Sequence, residues 1–187
     1  MRVAQIMAGQ EIGGAELFYA RLTSALAHDT DLSQIALLRP HARWLDMLQT
    51  AGVPIHTYRF GGRLDVQTKR GLRSQLETFG ADVALNWMSR AARFCPSGGW
   101  TNAARLGGYY SLKYYQNCQA FVGNTQGICA YLRKQGVPDA RVHYIPNFID
   151  ERPLSPDNEV QFPKAKRDDE AVLLAAGRLH KNKGFDV

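Results

Sequence analysis

Short apolar runs alternate with amphipathic segments over the first 150 residues of the chain. The first run, 3–8, is followed by a glycine-containing loop, 9–14, and by a segment, 15–28, whose apolar residues recur at helical spacing. The same pattern predicts further strands at 35–38, 53–58, 83–87, 103–106, 120–123 and 142–145. It predicts further helices at 42–51, 65–79, from about 111 onwards, and at 125–135. Strands that alternate with helices of this length indicate an α/β fold with a doubly wound parallel sheet.

The composition changes after residue 150. Residues 151–170 combine three prolines with many charged side chains, which is typical of a linker. The apolar run at 171–176 then predicts a buried central strand, and such a strand needs neighbours on both sides. We therefore predict a first domain at 1–150, a linker at 151–170 and an incomplete second domain at 171–187.

The charge of the chain is uneven. Of its 187 residues, 23 are Lys or Arg and 17 are Asp or Glu, which gives a net charge of +6. Residues 61–150 hold 11 basic and 5 acidic side chains, so they carry the whole excess. A basic segment is informative about partners and not about fold, and it leaves nucleic acid, an anionic membrane surface and a phosphorylated substrate open.

The cysteines and the N-terminus indicate a cellular compartment. Cys95, Cys118 and Cys129 form neither a C-x-x-C pair nor a disulfide framework, so we expect reduced core residues and a reducing environment. The N-terminus lacks the pattern of a signal peptide, and no window approaches about 20 apolar residues. The sequence thus predicts a cytoplasmic protein with at most a peripheral contact with the membrane.

The loop between the first strand and the first helix is a candidate anion site. Gly13 and Gly14 lie where backbone N–H groups and the helix dipole favour a negative charge, and glycine leaves room for a phosphate. The spacing fits neither G-x-G-x-x-G nor a P-loop, so an ordinary tight turn is the alternative. Glu16, in the first helical turn, either stabilises the helix start or contacts a substrate.

Two cations after the last predicted strand suit a diphosphate. Arg178 and Lys183 flank the junction of that strand with its loop, and the alternative is a solvated basic loop. Asp29 and Asp31 resemble an Asp-x-Asp metal motif, but they follow a helix that runs away from the carboxyl edge of the sheet, where ligands bind. We therefore predict no metal site.

Basic and aromatic side chains of the middle segment are the remaining candidates. Lys69, Arg70 and Arg73 accompany a helix that either rests on the sheet with its basic side in water or touches anionic lipid headgroups. Cations that follow the fourth and fifth strands suit a phosphorylated or acidic acceptor, and these are Arg90, Arg93, Arg105 and Lys113. Tyrosines nearby could stack on bases or sugar rings or belong in part to the core, and these are Tyr109, Tyr110, Tyr114 and Tyr115.

Four motifs follow one another along the chain. The first is Gly13-Gly14-Ala15-Glu16, and the second runs from Val122-Gly123-Asn124-Thr125 to Gly136-Val137-Pro138. The third ends in Ile145-Pro146-Asn147-Phe148-Ile149-Asp150, and the fourth joins Ala176-Gly177-Arg178-Leu179 to Lys183-Gly184-Phe185-Asp186. In this order, and over nearly the whole chain, they resemble the family 4 glycosyltransferases.

The resemblance implies two facing Rossmann-like domains of the GT-B type. The N-terminal domain would hold the acceptor and the C-terminal domain the nucleotide-sugar, with retention of the anomeric configuration and no obligatory metal or other cofactor. The residues expected to bind the donor diphosphate are Gly13, Gly14, Arg178 and Lys183. The residues that we assign to the acceptor or substrate side are Glu16, Arg105, Tyr109 and Tyr110.

The chain departs from the family pattern in two respects. Many members have a His near the reacting sugar, whereas residues 105–110 read Arg-Leu-Gly-Gly-Tyr-Tyr, so no catalytic residue is assigned. The family's two glutamates, spaced by seven residues, are expected beyond Val187, and we expect little or no activity from this chain alone.

The leading hypothesis is the N-terminal portion of a retaining glycosyltransferase. Such an enzyme would transfer a hexose from a nucleotide-sugar to a cell-envelope glycan or glycolipid. Two alternatives stay open: a non-catalytic, acceptor-binding or partner-dependent half of such an enzyme, and a basic nucleic-acid-binding protein.

Overall fold

A seven-stranded parallel sheet organises the unit Met1–Phe148. The computed structural model describes residues 1–9, 13–62 and 64–149, together with the single positions 173, 175 and 177. The strands are β1 (Arg2–Met7), β2 (Ser33–Leu38), β3 (Ile55–Thr57), β4 (Val83–Trp87), β5 (Thr101–Leu106), β6 (Ala120–Gly123) and β7 (Val142–Tyr144). Their order is β3-β2-β1-β4-β5-β6-β7, so the order reverses between β1 and β4. The predicted doubly wound sheet is confirmed, and all carboxyl ends lie at one edge.

In the described part of the chain, five α-helices cover the two faces of the sheet. They are α1 (Gly14–Ala25), α2 (Ala42–Thr50), α3 (Val66–Phe79), α4 (Met88–Phe94) and α5 (Gln126–Lys134). One face packs α1 and α2 against β1, β2 and β4 through a core that includes Trp44 and Trp87. The other face packs α3 and α4 through Leu72 and Phe94, and α5 through Leu132. Because β1, β2 and β5 are covered on both faces, five of the six residues of each strand are buried, including the polar Asn102 and the charged Arg105 of β5.

The ends of α3 lie where the sequence predicts them. The Asp65 carboxylate accepts the backbone N–H of Thr68 at 2.9 Å and so caps the first turn. Gly80 ends the helix with φ of +64°, a left-handed conformation that favours glycine.

The helix predicted from about residue 111 is wrong. Only a 3-10 turn, Leu112–Tyr114, forms there, because Tyr115 turns into the core and its hydroxyl contacts that of Ser89 at 3.0 Å. Conversely, the sequence analysis did not predict α4. This helix is only 7 residues long and begins without a capping side chain, so it lacks the usual sequence signals of a helix.

The cysteines and the described helices can be compared with the features from which a cytoplasmic location was predicted. Cys95, Cys118 and Cys129 are free and buried, which confirms that they are core residues. No helix in the described part of the chain is long and apolar enough to cross a membrane. The predicted linker at 151–170 lies outside the described residues, as does the strand predicted at 171–176 except for its two isolated positions.

Candidate functional site

The carboxyl edge of the sheet holds a crevice made of two adjoining cavities. The Arg105 cavity, of about 330 Å³, is lined by residues of α1, of the ends of β4 and β5, and by Asn124 and Asn147. The Glu16 cavity, of about 440 Å³, is lined by residues that follow β1, β2 and β4. Trp87, Met88 and Tyr110 line both cavities. The crevice therefore lies at the reversal of strand order, where doubly wound folds bind ligands.

Arg105 is the buried cation of the crevice. Pairing of β4 with β5 places it beside Trp87, and it is only 6% exposed. Its guanidinium carbon lies 4.7 Å from the ring centroid of Phe18 and 5.2 Å from that of Trp87. Nη1 donates to the carbonyl oxygen of Ile145 at 3.1 Å, and Nη2 donates to Oδ1 of Asn147. Burial lowers the pKa of the Arg105 guanidinium.

Glu16 is the buried acid of the crevice. It belongs to the first turn of α1 and is 5% exposed. A Cβ added at Gly9 would collide with its Oε1, and one added at Gly13 would lie 2.5 Å from its Oε2. The carboxylate thus occupies the space that side chains at both positions would need. Burial, and to a smaller degree the Glu16 charge, raise the pKa of Tyr110, so the two side chains influence each other.

The N-terminus of α1 opens onto the Arg105 cavity. Gly13 is the N-cap residue and supplies no side-chain cap, and Gly14 lines the cavity. A Cβ added at Gly14 would meet nothing within 4 Å. Of the two glycines, Gly13 therefore leaves room for the Glu16 carboxylate, while Gly14 borders open space beside the first N–H groups of the helix, which have no partner within the helix itself.

Met88 is a strained residue between the two cavities. Its φ of +67° lies in the left-handed region, which is unusual for a side chain of this size. It directly follows Trp87 at the end of β4 and begins α4. Backbone strain of this kind is concentrated at functional sites, which agrees with its position in the crevice.

The four candidate tyrosines are separated by the fold. Tyr110 lines both cavities, while Tyr115 is buried in the core. Tyr109 is 68% exposed, and its ring packs edge-on against Tyr131 with 5.4 Å between the centroids. The tyrosines thus form no common stacking surface for bases, and nothing in the fold favours the nucleic-acid-binding alternative.

The candidate cations are also divided. Arg90 lines the Glu16 cavity together with Arg39, which the sequence analysis did not single out. Arg93 and Lys113 instead line a separate surface cavity of about 480 Å³. Of the four cations predicted near the crevice, the fold brings Arg90 and Arg105 to it. Arg178 and Lys183 lie outside the described residues.

The Asp-x-Asp sequence lies away from the crevice. Oδ1 of Asp29 accepts the backbone N–H of Asp31 at 2.9 Å, just before β2 begins, so the pair lies at the amino edge as expected. In the ranges 1–9, 13–62 and 64–149, no group of three or more His, Cys, Asp or Glu residues is arranged to hold a metal ion. The expectation of a metal-independent protein stays a prediction.

Sequence reasoning missed the aromatic support of Arg105. Phe18 was predicted as a core residue of the first helix, and Trp87 as the end of a strand. The position of Trp87 at a carboxyl strand end is a usable signal for the crevice. Nothing in the sequence indicates that Asn147 and Ile145 contact Arg105, because they are 40 or more residues away along the chain.

The fold is that of a Rossmann-like domain with a crevice at the carboxyl edge of its sheet, and comparison with known proteins shows a relative among the glycosyltransferases. No family model matches the chain. The chain is 34% identical over 192 residues to the lipopolysaccharide core biosynthesis glycosyltransferase LpsD of Rhizobium meliloti (strain 1021). That match covers 99% of this chain and 53% of LpsD.

Solved structures share the fold. HepE of Anabaena, in complex with UDP, matches with a TM-score of 0.61 and 15% identity over 80% of this chain and 45% of HepE. The lipopolysaccharide outer core galactosyltransferase WaaB matches with a TM-score of 0.58 and 14% identity over 91% of this chain and 51% of WaaB. At these identities the likeness establishes the fold. The chain spans about half the length of the proteins that it matches.

Proposed function

We propose that this chain is the acceptor-side portion of a glycosyltransferase of lipopolysaccharide or related glycan biosynthesis. The observation that carries the proposal is the 34% identity to LpsD over 99% of the chain. The crevice supports it, because a cavity lined by a buried cation, aromatic rings and helix N–H groups suits sugars and anions. The finer proposal is a family 4 enzyme that transfers a hexose with retention to an envelope glycan or glycolipid.

The described residues fit the acceptor side of such a reaction. Glu16, Arg105 and Tyr110 line the crevice and are proposed to contact the acceptor, while Tyr109 is proposed to act at its rim. Gly13 and Gly14 begin α1, and its free N–H groups are proposed to face the donor diphosphate. Arg178 and Lys183 are proposed to complete the donor site.

The donor is proposed to be a nucleotide-sugar that acts as a co-substrate, without an obligatory metal. HepE, which shares the fold, is described in complex with UDP, and this favours a UDP-linked sugar. The departing nucleoside diphosphate would need stabilisation by cations and N–H groups rather than by a bound ion.

A peripheral membrane contact is proposed for the start of α3. Leu64 is 92% exposed and Val66 is 50% exposed, and Lys69 and Arg70 are exposed beside them. We call these four residues the α3 tip. Apolar side chains flanked by cations suit the interface of an anionic membrane, where a glycolipid acceptor would be presented.

The proposed function is tested with a chimera. Residues 1–187 are joined to the part of LpsD that this chain does not cover, and the product is incubated with a panel of radiolabelled nucleotide-sugars and lipopolysaccharide core. We expect labelled glycolipid from the chimera and little or none from the 187-residue chain alone. Full-length LpsD is the positive control.

Two results would contradict this proposal. A chimera that folds and binds nucleotide-sugar but gives no labelled product, while LpsD does, would remove the transferase assignment and leave a non-catalytic binding role. Efficient transfer by the 187-residue chain alone would show that the second half is not needed.

A further inference from the structure

Arg105 carries a positive charge that its described surroundings do not neutralise. The oxygens that accept its two hydrogen bonds are the carbonyl of Ile145 and the amide oxygen of Asn147, and both are neutral. The rings of Phe18 and Trp87 offer their faces to the guanidinium but carry no net charge. Within the described ranges, no carboxylate lies within 4.0 Å of Arg105.

Burying an arginine in this way has a free-energy cost. A cation that is only 6% exposed loses most of its hydration, and a carboxylate partner is the usual compensation. Burial also lowers the pKa of Arg105, and no acid among the described residues acts on it in the opposite direction. The buried acid of the crevice, Glu16, instead packs against Gly9 and Gly13.

The rest of the Arg105 cavity is also suited to a negative charge. Gly14 begins α1 there, and Asn124 directly precedes the N-cap residue of α5. The positive ends of two helix dipoles are therefore close to the same space. Asn124 also lines this cavity, and its buried Oδ1 has no hydrogen-bond partner among the described residues.

We infer that the Arg105 cavity binds a sugar that carries a phosphate or carboxylate group, and that Arg105 is the charge partner of this group. The inference rests on the proposed function and names its acceptor class, an acidic or phosphorylated sugar. The cavity volume of about 330 Å³ lies in the range of small-ligand sites. Aromatic rings on the same wall would pack against the sugar, while the guanidinium hydrogen-bonds to the anionic oxygens.

Arg105 also has a structural role, so the test needs a matched control. Arg141 lies over the ring of Phe121 at 5.7 Å and donates to the carbonyl oxygens of Cys118 and Gln119. It resembles Arg105 in stacking and in donating to two neutral oxygens, but it precedes β7 at the opposite edge of the sheet. Arg141→Gln therefore removes a similar set of contacts without touching the crevice.

The experiment measures binding of four probes to the 187-residue chain by isothermal titration calorimetry and NMR. The probes are glucose, glucose 6-phosphate, glucuronate and UDP. The variants are Arg105→Gln, Arg105→Lys, Arg141→Gln and Gly14→Asp. The last adds a negative charge to the cavity without removing any contact, since a Cβ at Gly14 meets nothing within 4 Å.

We expect at least one charged sugar to bind about tenfold or more tightly than glucose. This preference should disappear in Arg105→Gln and Gly14→Asp, persist in part in Arg105→Lys, and persist fully in Arg141→Gln. Because Gly14→Asp places an acid at a helix start, it should fold normally and keep the inference testable if Arg105→Gln does not fold.

Three results would overturn the inference. The first is equal affinity for glucose and for both charged sugars. The second is a preference for charged sugars that survives in Gly14→Asp. The third is an affinity for UDP alone that depends on Arg105, which would assign this cation to the donor site. Binding is measured without transfer, so these results do not depend on the chimera. The chimera could transfer sugar to an acceptor while the 187-residue chain shows no preference for charged sugars over glucose. That pair of results would retain the proposed function and remove this inference.

Discussion

At the scale of single residues, two buried charges define the crevice. Glu16 and Arg105 are 5% and 6% exposed, and each is surrounded by groups that fix its position. Glu16 fills the space that a Cβ would take at positions 9 and 13, whereas Arg105 lies over the rings of Phe18 and Trp87. In the first loop, Gly9 and Gly13 are thus explained by contact with the Glu16 side chain, whereas Gly14 borders open space.

The dependence of Gly9 on Glu16 can be measured. Gly9→Ala should lower the free energy of unfolding by up to about 1 kcal/mol, because the added methyl group collides with the Glu16 carboxylate and pushes it further into the cavity that it lines. In a Glu16→Ala background the same substitution should cost much less. This is a double-mutant cycle. Urea unfolding of the wild type, the two single variants and the double variant gives the coupling energy between positions 9 and 16.

Gly14, where an added Cβ meets nothing, is the control for the Gly9–Glu16 double-mutant cycle. Gly14→Ala should be neutral or should stabilise by up to about 1 kcal/mol, since a Cβ there meets nothing and alanine is the better helix former. An equal cost of Gly9→Ala in both backgrounds would show that Glu16 is not the obstacle.

At the scale of elements, the cap of α3 connects the helix to the preceding loop. The Asp65 carboxylate accepts hydrogen bonds from the backbone N–H of Thr68, from the Thr68 hydroxyl at 2.6 Å and from the N–H of Gly61 at 2.7 Å. These bonds, with the Thr68 hydroxyl as the largest contributor, lower the pKa of Asp65. The Asp65 side chain therefore joins the start of α3 to the loop that precedes it.

Loss of this cap should destabilise the protein. Asp65→Ala is expected to lower the free energy of unfolding by about 1 kcal/mol or more, and Asp65→Asn by less, because asparagine is also a good N-cap residue. Asp46→Ala, in the exposed part of α2, is the control. If both alanine variants lose the same stability in urea unfolding, the cap does not contribute.

The pH dependence of this effect follows from the lowered pKa. A carboxylate whose pKa is lower in the folded state contributes stability above its unfolded pKa, and this contribution is lost as the pH falls through the folded value. The stability difference between wild type and Asp65→Ala should therefore be constant above about pH 5 and shrink below about pH 4.

At the scale of the whole molecule, the two faces of the sheet carry different surfaces. The α3 tip combines exposed Leu64 and Val66 with two cations, and it belongs to the face opposite α1 and α2. Because α3 follows β3, its start lies toward the carboxyl edge, which also holds the crevice. A membrane at the α3 tip would thus be close to the proposed acceptor site.

Vesicle binding tests this arrangement. The chain should co-sediment with vesicles that contain phosphatidylglycerol and not with pure phosphatidylcholine, and high salt should release it. Lys69→Gln combined with Arg70→Gln should weaken binding roughly 30-fold, at about 1 kcal/mol per lost cation. The matched control removes the same charge from the other face with Arg21→Gln and Arg43→Gln. An equal loss in the control would indicate that net charge, and not the α3 tip, attracts the vesicles.

Much of the fold was predictable because its signals are local. The apolar runs of β1, β2 and β4, the cap at Asp65 and the left-handed end at Gly80 depend on residues that are close in sequence. The helix at 88–94 was not predicted because it is too short to show a helical period. The helix predicted after 111 does not form because Tyr115 packs into the core.

The candidate site was predictable only in part. The sequence pointed to the carboxyl edge of the sheet and named Gly14, Glu16, Arg105 and Tyr110, all of which line the crevice. It also placed Arg93 and Lys113 near the crevice, whereas the fold puts them at a separate cavity, because their position depends on which face of a helix or turn each cation occupies.

The parallel sheet and its carboxyl edge follow from the sequence alone, because strand and helix periods are properties of neighbouring residues. Tertiary packing decides that Arg105 is buried against two rings while Arg90, Arg93 and Lys113 stay exposed. That outcome joins α1, β4, β5 and the segment after β7, which are distant along the chain. The net charge of +6 describes the whole molecule, but the burial of Arg105 places one of these charges where a ligand can use it.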